Sequence, residues 1–434
     1  MNILRNYQKE LGSQGADIIR ASGIVYFMME PRTGKTLTAL ECAKEVGVKK
    51  VIFITKKKAI SSIQNDYNNF GYHEHFSLRV INRESVHLIP ARHDFDLVVY
   101  DEAHGFGGFP KPSEYAKYCK KMFGHLPTIL MSGTPHPESY SQLFHQFWLC
   151  NQGPWIKNPT FYNWYDDIGF PRVTKNIGYG KVFDWSCRPD SLKTYAGDSK
   201  EAIEKRKEAI KKINHIMEIY SIKYSQKEAG FVTVVEEEIL YCKMSDKMHE
   251  IFKTFKRDKV VDLGNGTMIA ASRAAEMLQK MHQFSSGTIL DSNGQAHILD
   301  FSKAEFIKKF FGGKKIVIFY KYKAEKKLLE YVFSDQLTDQ VNTFLDNPKL
   351  NLCLQYTSGR EGLNLSVADH IVFFNIDYSA VSYFQAKDRM TTINRKTNKV
   401  FYVFSDLGLE EKVYKSVSAK KTYTNTVFKR DFKL

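Results

Sequence analysis

The sequence predicts an α/β protein that contains two doubly wound parallel sheets. Up to residue 150, short apolar runs alternate with helical patterns, in the order GIVYFMM, TLTALECAKEV, VIFIT, AISSIQNDYNNF, FDLVVYD and TILMS. A second series comes later, in KKIVIFY, LNLCLQYT, HIVFFN and KVFYVFS, separated by AEKKLLEYVF and SAVSYFQAKDRM. Strands that alternate with helices form parallel sheets with helices packed on their faces. We therefore predict a first lobe in residues 1–150 and a second lobe in residues 236–434.

The segment between the predicted lobes, residues 151–235, has a different composition. Residues 151–184 are rich in aromatic, Gly and Pro residues and show no sustained period, which indicates an irregular insertion packed on a lobe. Residues 201–224 have apolar side chains at helical spacing and predict an amphipathic helix with a solvated charged face. The apolar positions of this helix are Ile210, Ile213, Ile216, Met217 and Tyr220.

The charge balance favours polyanionic partners. The chain has 63 Lys and Arg residues against 48 Asp and Glu residues, a formal net charge of +15. Such an excess attracts nucleic acid first and an anionic membrane surface second. A solvated basic face without any specific partner is the alternative interpretation.

The sequence contains no targeting or membrane signal that we can identify. No apolar run approaches the roughly 20 residues that cross a bilayer, and the first residues lack the apolar stretch of a secretion signal. We expect a cytoplasmic protein that does not bind membranes. The six cysteines are far apart and form no Cys-x-x-Cys pair, so we expect reduced, mostly buried thiols and no structural metal.

The strongest local motif is PRTGKT at residues 31–36, which follows the run GIVYFMM and opens a helical pattern. Ligands of parallel sheets bind beyond the carboxyl ends of the strands, and N–H groups at the start of a helix bind phosphate. Lys35 would reach the outer phosphates and the Thr36 hydroxyl would ligate Mg²⁺. The loop commonly has Gly where this chain has Arg32, so Arg32 must make the turn with a side chain present. The residues of the predicted nucleotide loop are Arg32, Thr33, Gly34, Lys35 and Thr36.

A second motif, DEAH at residues 101–104, directly follows the apolar run LVVY. A carboxylate at the end of a buried strand, beside a phosphate loop, can hold the water shell of Mg²⁺, and a neighbouring carboxylate can orient or deprotonate the attacking water. We assign the metal role to Asp101 and the water role to Glu102. A charged strand end at the surface is the alternative for the tetrapeptide alone.

Together, these motifs resemble those of superfamily 2 helicases, and within that group the Swi/Snf-type DEAH-box translocases, especially their compact phage versions. The resemblance covers nearly the whole chain. It includes LRNYQ at residues 4–8, SGTP at 132–135, QYTSGREGLNL at 355–365 and QAKDR at 385–389. It implies two RecA-like lobes with an ATP cleft between them, and ATP and Mg²⁺ as cofactors.

The resemblance also implies roles for residues in the first lobe. Gln8 would read the adenine edge of ATP. The SGTP motif would couple the ATP site to the nucleic-acid track, with hydroxyls able to bond Asp101 and Glu102. Solvated loop residues remain the alternative for the group after the strand VIFIT. The residues implied to bind nucleic acid in this lobe are Thr55, Lys56, Ser132, Gly133 and Thr134.

In the second lobe, the resemblance implies that Arg389 is the catalytic arginine finger, which supplies positive charge to the transferred phosphoryl group. Gly362 and Gln385 would also contact the nucleotide. The residues implied to face the nucleic-acid backbone here are Thr357, Ser358 and Gly359.

Two departures from the family pattern bear on activity. The final motif usually has another arginine where this chain has Thr392, and Arg395 is a candidate substitute. The stretch between Leu329 and Asn342 is short for the usual strand and glycine turn, so one strand of the second lobe is predicted to be reduced or missing.

The resulting hypothesis is an ATP-dependent DNA helicase or translocase that acts in replication, recombination or branched-DNA remodelling. We expect a monomer on duplex, forked or branched DNA, with RNA a weaker candidate, in a bacterial cell or a phage-infected host; replication or recombination proteins are candidate partners. One alternative is a weak or non-catalytic ATP-binding clamp. Another is the motor subunit of a restriction or defence assembly, with the aromatic residues 161–185 as a partner surface.

Overall fold

The structure, a computed structural model, describes residues 3–136, 139–171, 173–177, 180–185, 200–231, 234–264, 266–356, 365–379 and 397–418. It divides into two compact units, residues 1–230 and residues 231–434. Most of the predicted middle segment therefore packs with the first unit. Within the described parts of the chain, no helix combines the length and the apolar content that a membrane span needs.

The first unit is built on a six-stranded parallel sheet. The strands of the first unit, six in this sheet and two in a separate hairpin, are β1 (Ile24–Met29), β2 (Lys50–Thr55), β3 (Ser77–Asn82), β4 (Leu97–Tyr100), β5 (Thr128–Met131), β6 (Val173–Ile177), β7 (Gly180–Asp184) and β8 (Ser221–Tyr224). Its helices are α1 (Asn6–Ser22), α2 (Lys35–Val46), α3 (Ile60–Asn69), α4 (Glu114–Phe123), α5 (Gln142–Trp148), α6 (Phe161–Ile168) and α7 (Lys200–Tyr220). The sheet order is β3-β2-β4-β5-β1-β8, and β6 and β7 form a separate antiparallel hairpin.

Alternate side chains of β1 enter two different cores. Ile24 and Tyr26 pack in one apolar cluster, whereas Val25 and Phe27 pack in another, and all four are fully buried. A strand buried on both faces reads as a continuous apolar run, which is why GIVYFMM was predictable. The doubly wound arrangement predicted for this lobe is confirmed.

The predicted helix over residues 201–224 is correct in its body and wrong at its end. Ile213 and Met217 are buried on its apolar face, with Ile210 and Ile216 partly buried beside them. The last four residues, however, form β8, which pairs in parallel with β1 from Tyr26 to Met29. Pairing with a distant strand gives backbone hydrogen bonds that a local helical pattern cannot reveal.

The aromatic insertion contributes to the core of the first unit. Phe161, Trp164 and Tyr165 on α6 are at most 2% exposed and belong to the same cluster as β4 and β5 residues such as Tyr100. The proposed partner surface over residues 161–185 is corrected for these three side chains, because an aromatic ring buried in its own lobe cannot contact another protein.

The second unit repeats the parallel architecture. Its strands are β9 (Val234–Cys242), β10 (Val260–Asp262), β11 (Met268–Ala270), β12 (Thr288–Leu290), β13 (Ala296–Ile298), β14 (Ile316–Tyr320), β15 (Leu337–Thr338), β16 (Asn351–Gln355), β17 (His370–Phe373) and β18 (Thr397–Ser405). Its helices are α8 (Asp246–Asp258), α9 (Ala274–Phe284), α10 (Ser302–Phe310), α11 (Lys323–Phe333), α12 (Val341–Asp346) and α13 (Leu409–Ser418).

Six of these strands form a second parallel sheet in the order β15-β16-β14-β17-β18-β9. The four predicted strands correspond to β14, β16, β17 and β18. The expected reduction of one strand is confirmed, since β15 has only two residues, which pair with Asn351 and Leu352 at the edge of the sheet. The shortened connection before Asn342 leaves no length for a longer strand.

A buried ion pair ties α10 to α13 in the second unit. Lys303 Nζ lies 2.5 Å from Glu410 Oε1, and both side chains are 0% exposed. The other carboxylate oxygen of Glu410 accepts hydrogen bonds from the N–H and hydroxyl of Ser405, at 2.7 and 2.8 Å. Burial raises the pKa of Glu410, and the neighbouring Lys303 ammonium opposes that rise. The pair therefore needs both members in order to remain buried.

Candidate active site

Four predicted motifs meet at the carboxyl edge of the first sheet. The nucleotide loop follows β1, Lys56 follows β2, Asp101 follows β4 and Ser132 follows β5. These four strands are parallel, and β4 lies between β2 and β5, which in turn pairs with β1. Because parallel strands end at the same edge, the fold brings residues together that are up to a hundred positions apart in the sequence.

The nucleotide loop contains two left-handed residues. Arg32 has φ of 65° and Gly34 has φ of 82°. Gly adopts this conformation at no steric cost, whereas a residue with a Cβ loses roughly 1–2 kcal/mol. Arg32 therefore makes the turn that glycine would make more easily. Thr33 Oγ1 donates to the Glu30 carbonyl at 2.7 Å and closes the loop, and α2 begins at Lys35.

Lys35 and Gln8 both lie at this loop. Lys35 Nζ donates to the carbonyls of Met29 and Glu30, at 3.0 and 3.3 Å, so its ammonium lies at the end of β1. Gln8, only 4% exposed, accepts a hydrogen bond from Arg5 N at 3.0 Å. Its amide packs against Gly34 so closely that a Cβ there would lie 2.0 Å from Gln8 Nε2. The two residues assigned to ATP from distant motifs are thus neighbours.

Gly34→Ala should lower ATP affinity by more than the strain of a left-handed alanine alone would cause. The added methyl group would displace Gln8, and we expect ATP affinity to fall by roughly tenfold or more, a loss of about 1.4 kcal/mol for each factor of ten. The matched control is Gly47→Ala at the end of the same helix, where φ is 87° but no atom lies within 4 Å of the new Cβ. Gly47→Ala carries only the strain of the left-handed backbone, so it should lose less stability in thermal unfolding than Gly34→Ala and keep normal ATP affinity. Equal ATP affinity in the two variants would contradict the role of the Gln8 contact.

The acidic pair is held by separate contacts. Asp101 accepts hydrogen bonds from the Thr55 hydroxyl at 2.7 Å and from Glu102 N at 3.0 Å. Burial and the adjacent Glu102 charge raise the pKa of Asp101, against the hydrogen bond from Thr55 and the charge of Lys35. Glu102 has a left-handed backbone with φ of 48°, a strained conformation that is concentrated at functional sites.

Glu102 is ready to act as a carboxylate. Burial raises the pKa of Glu102, but the nearby His104 and the charge of Lys35 outweigh burial and lower this pKa to about 2. Its Oε2 atom is shielded from solvent and accepts no well-formed hydrogen bond from the described residues, although His104 Nδ1 lies 3.2 Å from it. A buried carboxylate oxygen with free acceptor capacity suits a group that must bind a water molecule.

The SGTP motif contacts the acidic motif through a histidine. His104 Nδ1 lies 2.9 Å from Ser132 Oγ, which also accepts from Thr134 N at 3.1 Å. One ring nitrogen carries at most one proton, so the shorter distance favours Ser132 over Glu102 as its hydrogen-bond partner. Ser132 thus contacts the DEAH motif at His104, a role that the sequence did not reveal.

Three residues expected to face nucleic acid, Thr55, Ser132 and Gly133, have surroundings within the first unit. Thr55 is 1% exposed and its hydroxyl is engaged with Asp101, so it supports the acidic pair. Ser132 is fully buried. Gly133 lies against the nucleotide loop, since a Cβ there would be 3.2 Å from both Met29 O and Pro31 Cδ. Lys56 is half-buried after β2, and Thr134 is half-buried beside the motif.

The predicted residues of the second lobe lie outside the described residues. The described stretch before the predicted loop ends at Tyr356, directly after β16, and Gln355 at the end of β16 donates to Lys321 O at 3.0 Å. The predicted loop follows in sequence from that edge. The predicted site residues not described are Thr357, Ser358, Gly359, Gly362, Gln385 and Arg389, as well as Thr392 and Arg395.

Comparison with known proteins gives matches over most of the chain. Residues 34–286 match the SNF2-related domain. The DNA excision repair protein ERCC-6 of Homo sapiens is 22% identical over 382 residues, 78% of this chain and 24% of that protein. Transcription termination factor 2 of Drosophila melanogaster is 34% identical over 85 residues, 19% of this chain and 8% of that protein. The chain thus spans about a quarter or less of the length of these curated relatives.

Two solved structures are also similar. The Sulfolobus solfataricus SWI2/SNF2 ATPase core in complex with dsDNA is 16% identical, with a TM-score of 0.42 and coverage of 100% of this chain and 95% of that chain. The ATPase core domain from the same organism is 14% identical, also with a TM-score of 0.42, and the match covers 97% of this chain and 89% of that chain.

Proposed function

This chain belongs to the SNF2-related domain family, the Swi/Snf-type translocases of helicase superfamily 2, and from that premise we propose that it hydrolyses ATP to move along DNA. The observation that carries the proposal is the convergence, at one sheet edge, of the nucleotide loop, the acidic pair and the SGTP motif. These groups supply phosphate binding, metal binding and water activation, which ATP hydrolysis needs together.

The residues of the first unit divide the chemistry among them. The N–H groups of the loop and the ammonium of Lys35 bind the phosphates. Glu102 accepts a hydrogen bond from the attacking water and orients it, because its carboxylate is ionised at neutral pH and has acceptor capacity to spare. Arg389 would stabilise the charge on the transferred phosphoryl group, a role that stays a prediction from the QAKDR motif.

A magnesium ion fits the donor set at this edge. Thr36 offers a hydroxyl and Asp101 a carboxylate that Thr55 already orients. Such hard oxygen ligands suit Mg²⁺, which retains several waters and binds through one or two protein groups and the phosphates. When bound, the ion would neutralise charge on the phosphate oxygens. We therefore assign to Asp101 the role of holding the metal ion and its water shell.

DNA is the proposed track, in duplex, forked or branched form, and the chain is proposed to act as a monomer in replication, recombination or DNA remodelling. The formal charge of +15 supports a polyanionic partner, and one relative is named as a DNA excision repair protein. Contacts to phosphates carry most of such binding and little sequence specificity.

ATP turnover should rise when DNA is added, and the stimulation should weaken steeply with salt. For each phosphate contact, the logarithm of the binding constant falls with a slope of about −0.9 against log salt on duplex DNA. The measurement is steady-state ATP hydrolysis with linear duplex, forked, branched and single-stranded DNA and with RNA, each at several salt concentrations. A strand-displacement assay on the best activator then separates strand separation from translocation.

The Glu102→Gln variant is the control for contaminating ATPases in this assay. Turnover that no nucleic acid stimulates would contradict the translocase proposal. Nucleotide binding without turnover in the unaltered chain would indicate the clamp instead.

A further inference from the structure

The turn after β8 contacts the nucleotide loop from a distant part of the sequence. The carbonyl of Tyr224, the last residue of β8, accepts a hydrogen bond from Glu30 N at 2.9 Å. Two residues later, Gln226 N donates to the Glu30 carboxylate at 2.7 Å, and the side-chain amide of Gln226 donates to the Pro31 carbonyl at 2.9 Å. The strand pairing of β1 and β8 thus continues into the loop as side-chain contacts.

The turn itself is fixed by local hydrogen bonds. Ser225 donates from its N–H and from its hydroxyl to Glu228 Oε2, at 2.7 and 2.6 Å. Tyr224 Oη donates to the Glu228 carbonyl at 3.1 Å. A side chain that bonds backbone two or three residues away stabilises a tight turn. Gln226 is therefore held facing the loop.

A second loop carbonyl is held by α1. Tyr7 Oη donates to the Thr33 carbonyl at 3.0 Å. The rings of Tyr7 and Tyr224 stack, with centroids 4.6 Å apart and an interplanar angle of 24°. The carbonyls of Pro31 and Thr33 are thus each held by a donor from outside the loop. The ring stack joins Tyr7 to Tyr224, two residues before Gln226.

Fixing a carbonyl also fixes the next N–H group. A peptide unit is planar and trans, so its C=O and N–H point in opposite directions. When Gln226 holds the Pro31 carbonyl, the N–H of Arg32 must point away from Gln226. When Tyr7 holds the Thr33 carbonyl, the N–H of Gly34 must point away from Tyr7. These two N–H groups belong to the loop that binds phosphate.

We propose that Gln226 is a positioning residue of the nucleotide site, which holds the loop so that the Arg32 N–H points to the phosphates. The inference rests on the proposed function, in which this loop binds ATP. Arg32 is strained, and an outside donor on the preceding carbonyl supplies a constraint on that strained turn. The segment that carries Gln226 also leads directly into the second unit, which begins at residue 231.

Gln226→Ala in the full chain tests the proposal. Losing one hydrogen bond that orients the loop should weaken binding of ADP with Mg²⁺ by roughly 3- to 10-fold in titration calorimetry. The KM for ATP should rise by a similar factor while kcat changes little, since the constraint serves bound nucleotide and transition state alike. Gln226→Glu should weaken binding more, because its carboxylate would face the Pro31 carbonyl and the Glu30 carboxylate.

Two matched variants separate positioning from folding. Gln226→Lys keeps a donor for the Pro31 carbonyl and adds a positive charge beside Glu30, and its ADP affinity should stay within about twofold of that of the unaltered chain. Lys227→Ala removes an exposed side chain from the same turn and should change nothing. All of these variants should melt within about 2 °C of the unaltered protein.

The outcomes distinguish this inference from the function on which it rests. Unchanged ADP affinity in Gln226→Ala, or an equal loss in Lys227→Ala, would overturn the role of Gln226. A fall in the melting temperature of Gln226→Ala by more than about 4 °C would assign the residue to stability and overturn it as well. Absence of ADP binding by the unaltered chain would instead overturn the proposed function.

Discussion

Glu102→Gln should reduce DNA-stimulated ATP turnover by roughly 100- to 10,000-fold, the range that a positioned acid or base contributes to catalysis. The amide has nearly the same shape but cannot accept a proton, and its NH₂ group would repel the hydrogens of the attacking water. Nucleotide binding should survive, because the phosphates are bound by the loop and by Lys35. The measurement is steady-state hydrolysis at saturating ATP and DNA, together with ADP titration.

Lys35→Ala is the matched comparison, because it should fail at the earlier step. A charge-assisted hydrogen bond is worth about 1.5–3 kcal/mol, so ATP affinity should fall by roughly 10- to 100-fold. The two variants are therefore expected to separate binding from chemistry. If Glu102→Gln retained more than about a tenth of normal turnover, Glu102 could not be the group that activates the water.

Lys303→Met should produce the largest loss of stability, about 3–5 kcal/mol in urea unfolding. The substitution leaves the carboxylate of Glu410 without its cation at a position that is 0% exposed. An uncompensated buried charge either remains at high cost or takes up a proton, and both routes weaken the folded state. Hydrogen exchange at α10 and α13 measures the unfolding of the second unit.

The double variant Lys303→Met with Glu410→Gln provides the control. The neutral amide of Gln can still accept hydrogen bonds from Ser405, so most of the lost stability should return. If the free energy of unfolding of the single variant lay within about 1 kcal/mol of that of the unaltered chain, the ion pair would contribute little to stability.

The central strands could be predicted because their burial on both faces is visible in their sequences. Each of β1, β4 and β14 is buried on both faces, so that each is an unbroken apolar run of strand length. Edge strands do not have this property. In β3 only four residues alternate between exposed and partly buried positions before the buried Ile81, so the strand signal is short. In β8 four residues directly follow α7 in sequence, so nothing local separates them from the helix.

The site was predictable to the extent that its groups are adjacent in sequence. Residues 31–36 and the acidic pair lie in short motifs at strand ends, and the sheet order then brings them together. The contact of Thr55 with Asp101 depends on β2 lying next to β4, which only the topology reveals. Gln226 is 195 residues from Pro31, and a glutamine in a polar turn carries no signal of its own.

The parallel pairing of β1 with β8 affects how the first unit folds and where it can be truncated. Until residue 224 is available, one edge of β1 has no partner, and an open edge of apolar strand invites pairing with other chains. During synthesis, the nascent first unit therefore passes through a stage that is prone to aggregation. A truncation meant to yield this unit alone should extend through residue 230. A fragment ending at residue 150 would lack β8 and the turn whose Gln226 donates to the nucleotide loop.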